Sequence, residues 1–197
     1  YFLYDFNPGC QYEVGVRKWR MDALINDDRW KQNSSELYTV TIWSNMSPTL
    51  VSPLGTYVVV GNNVSLEAYI DDIDPACGGV EGATLYFNLT HRASGTHPSG
   101  SPFLATDVGG GNYTASQSTA GWNSDPGYGW YDVIVEAQKA YYDGNKTVSY
   151  LKEYSFFLAS IPSLENVTWP TIGRWGEVYN FSFEVKDADY NNVTIRL

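Results

Sequence analysis

Positive charge is scarce in this chain. Lys and Arg number 12 of 197 residues against 22 Asp and Glu, which gives a net charge of −10, and charged residues are only 17% of the whole. That balance argues against nucleic acid as a partner, because binding phosphates needs a basic surface. Long apolar runs are also missing. Stretches such as Tyr57–Val60 and Tyr154–Leu158 fall far short of the roughly 18 residues of a membrane helix, so no membrane insertion is expected within this segment. No CxxC, HExxH, GxSxG or P-loop pattern occurs, which removes the common metal, hydrolase and nucleotide signatures. Histidine occurs only at His91 and His97, both in a Ser/Gly/Pro-rich stretch, and a solvated loop is the expectation there. No signal peptide is visible and the first residue is not Met, as expected of a mature or trimmed product or a piece of something longer.

Aromatic residues are plentiful, at 16% with 16 Tyr and 7 Trp. A disordered acidic tail is therefore excluded, since such tails lack the apolar groups that offset chain entropy. The strongest signal is the Asn-X-Ser/Thr sequon. It occurs at Asn33, Asn45, Asn63, Asn88, Asn112, Asn145, Asn166, Asn180 and Asn192, which is nine of 14 Asn. The Ser and Thr content would put only about two there by chance. Asn45 is the weakest acceptor, because Pro48 follows its Ser47. N-linked glycans place a chain at the cell surface or outside the cell and put those Asn on the exterior.

Helical periodicity is nearly missing, and period-2 alternation between Gly, Pro, Asn and Asp clusters predicts an all-β sandwich. Val64, Leu66, Ala68 and Ile70 form one inward stripe. Leu85, Phe87 and Leu89 form a second, which turns Asn88 outward, and Tyr131, Val133, Val135 and Ala137 form a third. The chain also repeats itself. Tyr12–Val16 matches Tyr131–Val135, Glu36–Val40 matches Glu153–Phe157, Pro48 matches Pro162, and Val64–Ile70 matches Tyr179–Val185. The offsets give a repeat of about 115 residues, near the size of one seven-stranded sandwich. Residues 1–47 then read as the last strands of one unit, 48–161 as a complete unit, and 162–197 as the first strands of another.

The run Gly61-Asn62-Asn63-Val64-Ser65-Leu66, then Asp71-Asp72-Ile73-Asp74, then Gly79 through Phe87, Gly111 through Ala115 and Gly129 through Ala137 resembles the tandem immunoglobulin-like domains of prokaryotic, especially archaeal, S-layer and cell-surface glycoproteins. The resemblance implies a non-catalytic structural surface protein that self-associates with identical subunits or with further domains of the same protein.

Cys10 and Cys77 fall in different units, at poles that face each other in a tandem array, and a disulfide between them is expected outside the cytosol. Asp71, Asp72 and Asp74 share one polar loop, Asp187 and Asp189 match it in the next unit, and Asp5 and Asp125 fall near the opposite poles. Carboxylates gathered at a junction suit Ca²⁺, which takes six to eight oxygens; a solvated acidic loop is the competing reading. Glu67, Glu81, Glu136, Glu153, Glu165 and Glu184 are scattered, with no sign of the paired carboxylates a glycosidase requires. Trp122, Tyr128, Trp130, Tyr141 and Tyr142 lie near loops, and sugar stacking or core packing are both open for them. Two alternatives to the structural reading stand: a filament subunit that polymerises by strand complementation, and a carbohydrate-binding, adhesin or enzyme-accessory module.

Overall fold

The computed structural model describes residues 4–23, 33–74, 76–189 and 193–195. All regular structure among them is β, apart from one 3-10 turn at Asp143–Asn145. The chain opens with a hairpin of β1 (Gly15–Trp19), β2 (Asp22–Ala23), β3 (Asn33–Ser34) and β4 (Tyr38–Ile42). β1 and β4 pair antiparallel with Trp19 opposite Tyr38, and the two rings pack at 5.1 Å.

Nine strands follow: β5 (Met46–Ser52), β6 (Thr56–Val59), β7 (Asn63–Asp72), β8 (Thr84–His91), β9 (Phe103–Leu104), β10 (Thr106–Gly109), β11 (Asn112–Ser118), β12 (Gly129–Gln138) and β13 (Val148–Ala159). They form two sheets, in the orders β10-β11-β7-β5 and β6-β13-β12-β8-β9. The three predicted stripes are buried, and they meet between the sheets with Tyr113, Phe156 and Leu158. Alternation explains this: residues two apart on a strand share a face, so one apolar face per strand suffices. Each large side chain so buried contributes about 1.5–3 kcal/mol.

The first strand serves both sheets. β5 pairs antiparallel with β7, and after Pro53, which has no N–H for a ladder, β6 crosses to pair parallel with β13. One extra residue lies in β5 between Leu50 and Ser52, a bulge of the kind that bends a strand. A larger irregularity interrupts β13 opposite Asp132. Here the Asp132 carboxylate accepts the Tyr154 N–H at 2.8 Å and pairs with Arg92 at 3.0 Å, while the Arg92 guanidinium lies 3.8 Å from the Tyr154 ring centroid.

The chain continues into a second hairpin, β14 (Ser163–Thr168) and β15 (Ser182–Lys186). Leu164 stands opposite Val185, as Leu50 stands opposite Ala68. β14 again carries one extra residue, between Glu165 and Thr168. The pairing is displaced by two residues from the one implied by the sequence match, which aligns Ala68 with Phe183. A shift of two keeps every side chain on its face.

Candidate functional site

Eight of the nine sequons fall on described residues; Asn192 lies outside them. Asn33, Asn45, Asn63, Asn112, Asn145, Asn166 and Asn180 are exposed, and Asn88 is half-buried on the outer face of β8. The placement follows from local structure. Asn63 and Asn112 begin strands next to Gly-containing turns, and Asn145 ends the short 3-10 turn. Asn112 and Asn166 use their Nδ2, the atom that takes a glycan, as a donor to Gly109 O and to Glu184.

Cys10 and Cys77 form a disulfide with Cα atoms 5.0 Å apart. It ties the segment before β1 to the loop after β7. The same joint holds a polar cluster. Ser44, between β4 and β5, donates its hydroxyl to Asp72 Oδ1 at 2.8 Å, and Asp74 N donates to the same oxygen at 3.0 Å. Asp72 is only 5% exposed, and the buried Tyr142 lies beside it. Burial first, and then the neighbouring Asp72 charge, push the Tyr142 hydroxyl up to about 12. The cleft beside them has a volume of about 310 Å³ and is lined by Tyr12, Glu13, Trp43 and both half-cystines.

A second cluster of the same kind lies at the far end of the sandwich. Ser160, between β13 and β14, donates its hydroxyl to Asp187, and its N–H to Asp189 Oδ2 at 2.6 Å. Asp72 and Asp187 are matched at the same offset as Val64–Ile70 and Tyr179–Val185, while Ser44 lies four residues before Pro48 and Ser160 two before Pro162. The serines escaped the sequence reading. Their signal was positional: each lies shortly before the matched prolines Pro48 and Pro162.

The five aspartates read as candidate Ca²⁺ ligands lie in two groups. Asp71, Asp72 and Asp74 sit where β7 ends, whereas Asp187 and Asp189 sit where β13 ends. These are opposite poles of the sandwich, separated by roughly the 30 Å span of a ten-residue strand. Asp71 and Asp72, adjacent on one strand, point to opposite faces. Asp74 lies close to both half-cystines, but sulfurs joined in a disulfide are not the thiolates a metal binds. Asp5 and Asp125 are exposed.

Other expectations also meet the structure here. His91 is not in a solvated loop: it is 5% exposed at the end of β8, with Nδ1 on Ser94 Oγ at 2.8 Å and Nε2 on Tyr128 O at 3.0 Å. His97 is exposed, and its Nδ1 lies 2.7 Å from Leu89 O. The loop aromatics do not form one platform. Trp122 and Tyr142 are buried in the core, and Tyr141 packs edge-on against Trp43 at 5.5 Å. Glu165 and Glu184, far apart in sequence, stand directly opposite each other on β14 and β15, but Lys186 pairs with the first and Asn166 donates to the second. No helix among the described residues is long and apolar enough to cross a membrane. Compared with protein-family models and with curated proteins, the chain matches none.

Proposed function

We propose that this chain is part of a non-catalytic structural glycoprotein of the cell surface, built from immunoglobulin-like sandwiches in tandem and decorated with N-linked glycans. The observation that carries the reading is the recurrence of one joint. A serine placed between the last strand of one unit and the first of the next bonds an aspartate at the end of the next unit's second strand, at Ser44–Asp72 and again at Ser160–Asp187. A recurring joint is what a stalk or lattice of repeated modules requires.

Three further features favour the immunoglobulin-like form. The sheet orders β10-β11-β7-β5 and β13-β12-β8 correspond to the two sheets of that sandwich. Tyr131, near the start of β12, donates its hydroxyl to Gly127 O at 2.7 Å, which is the bond of a tyrosine corner. The β14–β15 hairpin carries the same bulge as β5–β7. The disulfide suits an oxidising compartment, and exposed sequons on several faces leave little bare surface for a substrate cleft.

Self-association is the second reading. Trp169, Ile172, Trp175 and Val178 are all well exposed beyond β14, and an apolar surface of that size favours contact with another unit or another copy. Labelling intact source cells with a membrane-impermeant amine reagent tests the location. Modification of Lys18 and Lys152 on intact cells supports the surface reading. Protection until the cells are lysed overturns it.

A further inference from the structure

The outer face of the five-stranded sheet carries a strip of apolar side chains with Asn88 set in its middle. Phe87 and Leu89 are fully buried, so alternation turns Asn88 outward. It stands directly opposite Ile134 on β12, which in turn stands opposite Leu151 on β13. Directly opposed residues in such pairs have Cβ atoms about 4.5–5.5 Å apart. Tyr86 lies two residues along the same strand, about 7 Å away. Trp130, four residues from Ile134 on β12, packs edge-on against Tyr154 at 5.6 Å. Leu151, Tyr86 and Tyr154 are exposed, and Ile134 and Trp130 are half-buried. Tyr86 and the Ile134–Leu151 pair thus flank the Asn88 side chain, and Trp130 with Tyr154 lies beyond Asp132 and Thr90 on the same face.

We propose that the N-linked glycan on Asn88 folds back along this face and covers the strip, with the C–H faces of its sugar rings stacked on Tyr86, Trp130 and Tyr154. The side chain is set for it. Ser101 Oγ donates to Asn88 Oδ1 at 3.2 Å and itself accepts the Leu89 N–H at 3.0 Å. This fixes the amide by its oxygen and leaves Nδ2, the atom that takes the sugar, with no protein acceptor among the described residues. Asn112 and Asn166 differ, since their Nδ2 atoms bond the protein. Aromatic rings present a negative face that attracts polarised C–H groups, and sugars are amphipathic enough to place those groups on apolar surface while their hydroxyls stay in water. Asp132, on the same face, is bound by Arg92, and Glu136 stands directly opposite Tyr86 at the edge of the strip. The occupant is thus the chain's own glycan, which emerges from the strip itself. This inference rests on the glycoprotein reading above.

The test uses the glycosylated protein from its own source cells, with hydroxyl-radical footprinting read residue by residue and glycopeptide mapping of Asn88 alongside. T90V removes the sequon while leaving Asn88 and its Ser101 bond in place, N88Q is the companion variant, and N63Q, on the other sheet, is the control. With Asn88 occupied in the parent, oxidation at Tyr86, Trp130 and Leu151 should rise about twofold or more in T90V and N88Q, as the covered patch becomes open to solvent, and stay level in N63Q. Unchanged rates with Asn88 occupied overturn the inference and leave the glycoprotein reading intact. So does protection that survives both variants and grows with protein concentration, which assigns the strip to a second copy. An empty Asn88 beside occupied sequons elsewhere also overturns the inference alone. Empty sequons throughout overturn both.

Discussion

Ser44 donates its hydroxyl across a joint to the buried carboxylate of Asp72, at 2.8 Å. The serine belongs to the segment that leaves β4, and the aspartate ends β7, so the bond ties the β1–β4 strand pair to the sandwich that follows it. Among the described residues the Asp72 carboxylate is held by the Ser44 hydroxyl and the Asp74 N–H. Removing one of those donors leaves a buried carboxylate short of a partner.

S44A should therefore destabilise the protein by about 1–3 kcal/mol, read as a lower denaturant midpoint. S160A removes the matching bond beside the more open Asp187, where water can replace the hydroxyl, and should lose clearly less. A double-mutant cycle of S44A with D72N should return a coupling of about 0.5–3 kcal/mol. Additivity of the two substitutions would show that the bond adds nothing.

The disulfide closes a separation of 67 residues and so restricts the unfolded chain by about 4 kcal/mol in the chain-entropy account. The sandwich core between the two sheets includes neither cysteine. Reduction, or C10A with C77A, should speed amide exchange in β1 and β4 while β7, β8 and β12 remain protected. Equal deprotection of all five strands would show that the sandwich depends on the staple.

Gly79 and Gly111 pass each other with no room for a side chain. A Cβ on Gly79 would fall 2.2 Å from the Gly110 carbonyl oxygen, and one on Gly111 would fall 2.5 Å from the Gly79 Cα. Both contacts are with backbone, so neither can be relieved by a rotamer change. G79A should lower stability by about 1–3 kcal/mol; G61A, where nothing lies within 4 Å but φ is +90°, should lower it by about 1 kcal/mol. Equal losses at the two positions would point to backbone conformation rather than packing.

Tyr113 buries its hydroxyl between Val80 O, to which it donates, and Ala83 N, from which it accepts, each at 2.9 Å. Burial is the main cause that pushes it up to about 12, as with Tyr142. An ordinary tyrosine in the unfolded chain ionises near 10. The neutral hydroxyls thus contribute their full stabilisation below about pH 10, and lose it as pH rises from there towards about 12. Denaturant midpoints measured across that window should fall. The fall should be smaller in Y142F, which has one fewer ionising group, and an equal fall would place the alkaline sensitivity elsewhere.

The sandwich was legible because its signal is local. Val64, Leu66, Ala68 and Ile70 alternate with polar residues, and alternation of period two is what burial on one face of a sheet demands. Sheet partners were not legible in the same way. The two-residue displacement of β14 against β15 keeps the faces unchanged, so the hydrophobic pattern does not distinguish it from the unshifted pairing. The core position of His91 was hidden by its Gly- and Ser-rich neighbours. The joints were half legible. Asp72 and Asp187 were marked by charge and repeat, and the disulfide pairing by the position of two lone cysteines. Ser44 and Ser160 carried no chemical distinction among 17 serines, and only their bonds single them out.

The most direct test of the central claim is glycopeptide mapping of the protein isolated from its source, with site occupancy read at each sequon. The account predicts N-linked glycans at the exposed Asn33, Asn63, Asn112, Asn145, Asn166 and Asn180 and at the outward-facing Asn88, with Asn45, beside its proline, the least occupied. A chain with unmodified Asn at all of these positions would contradict it.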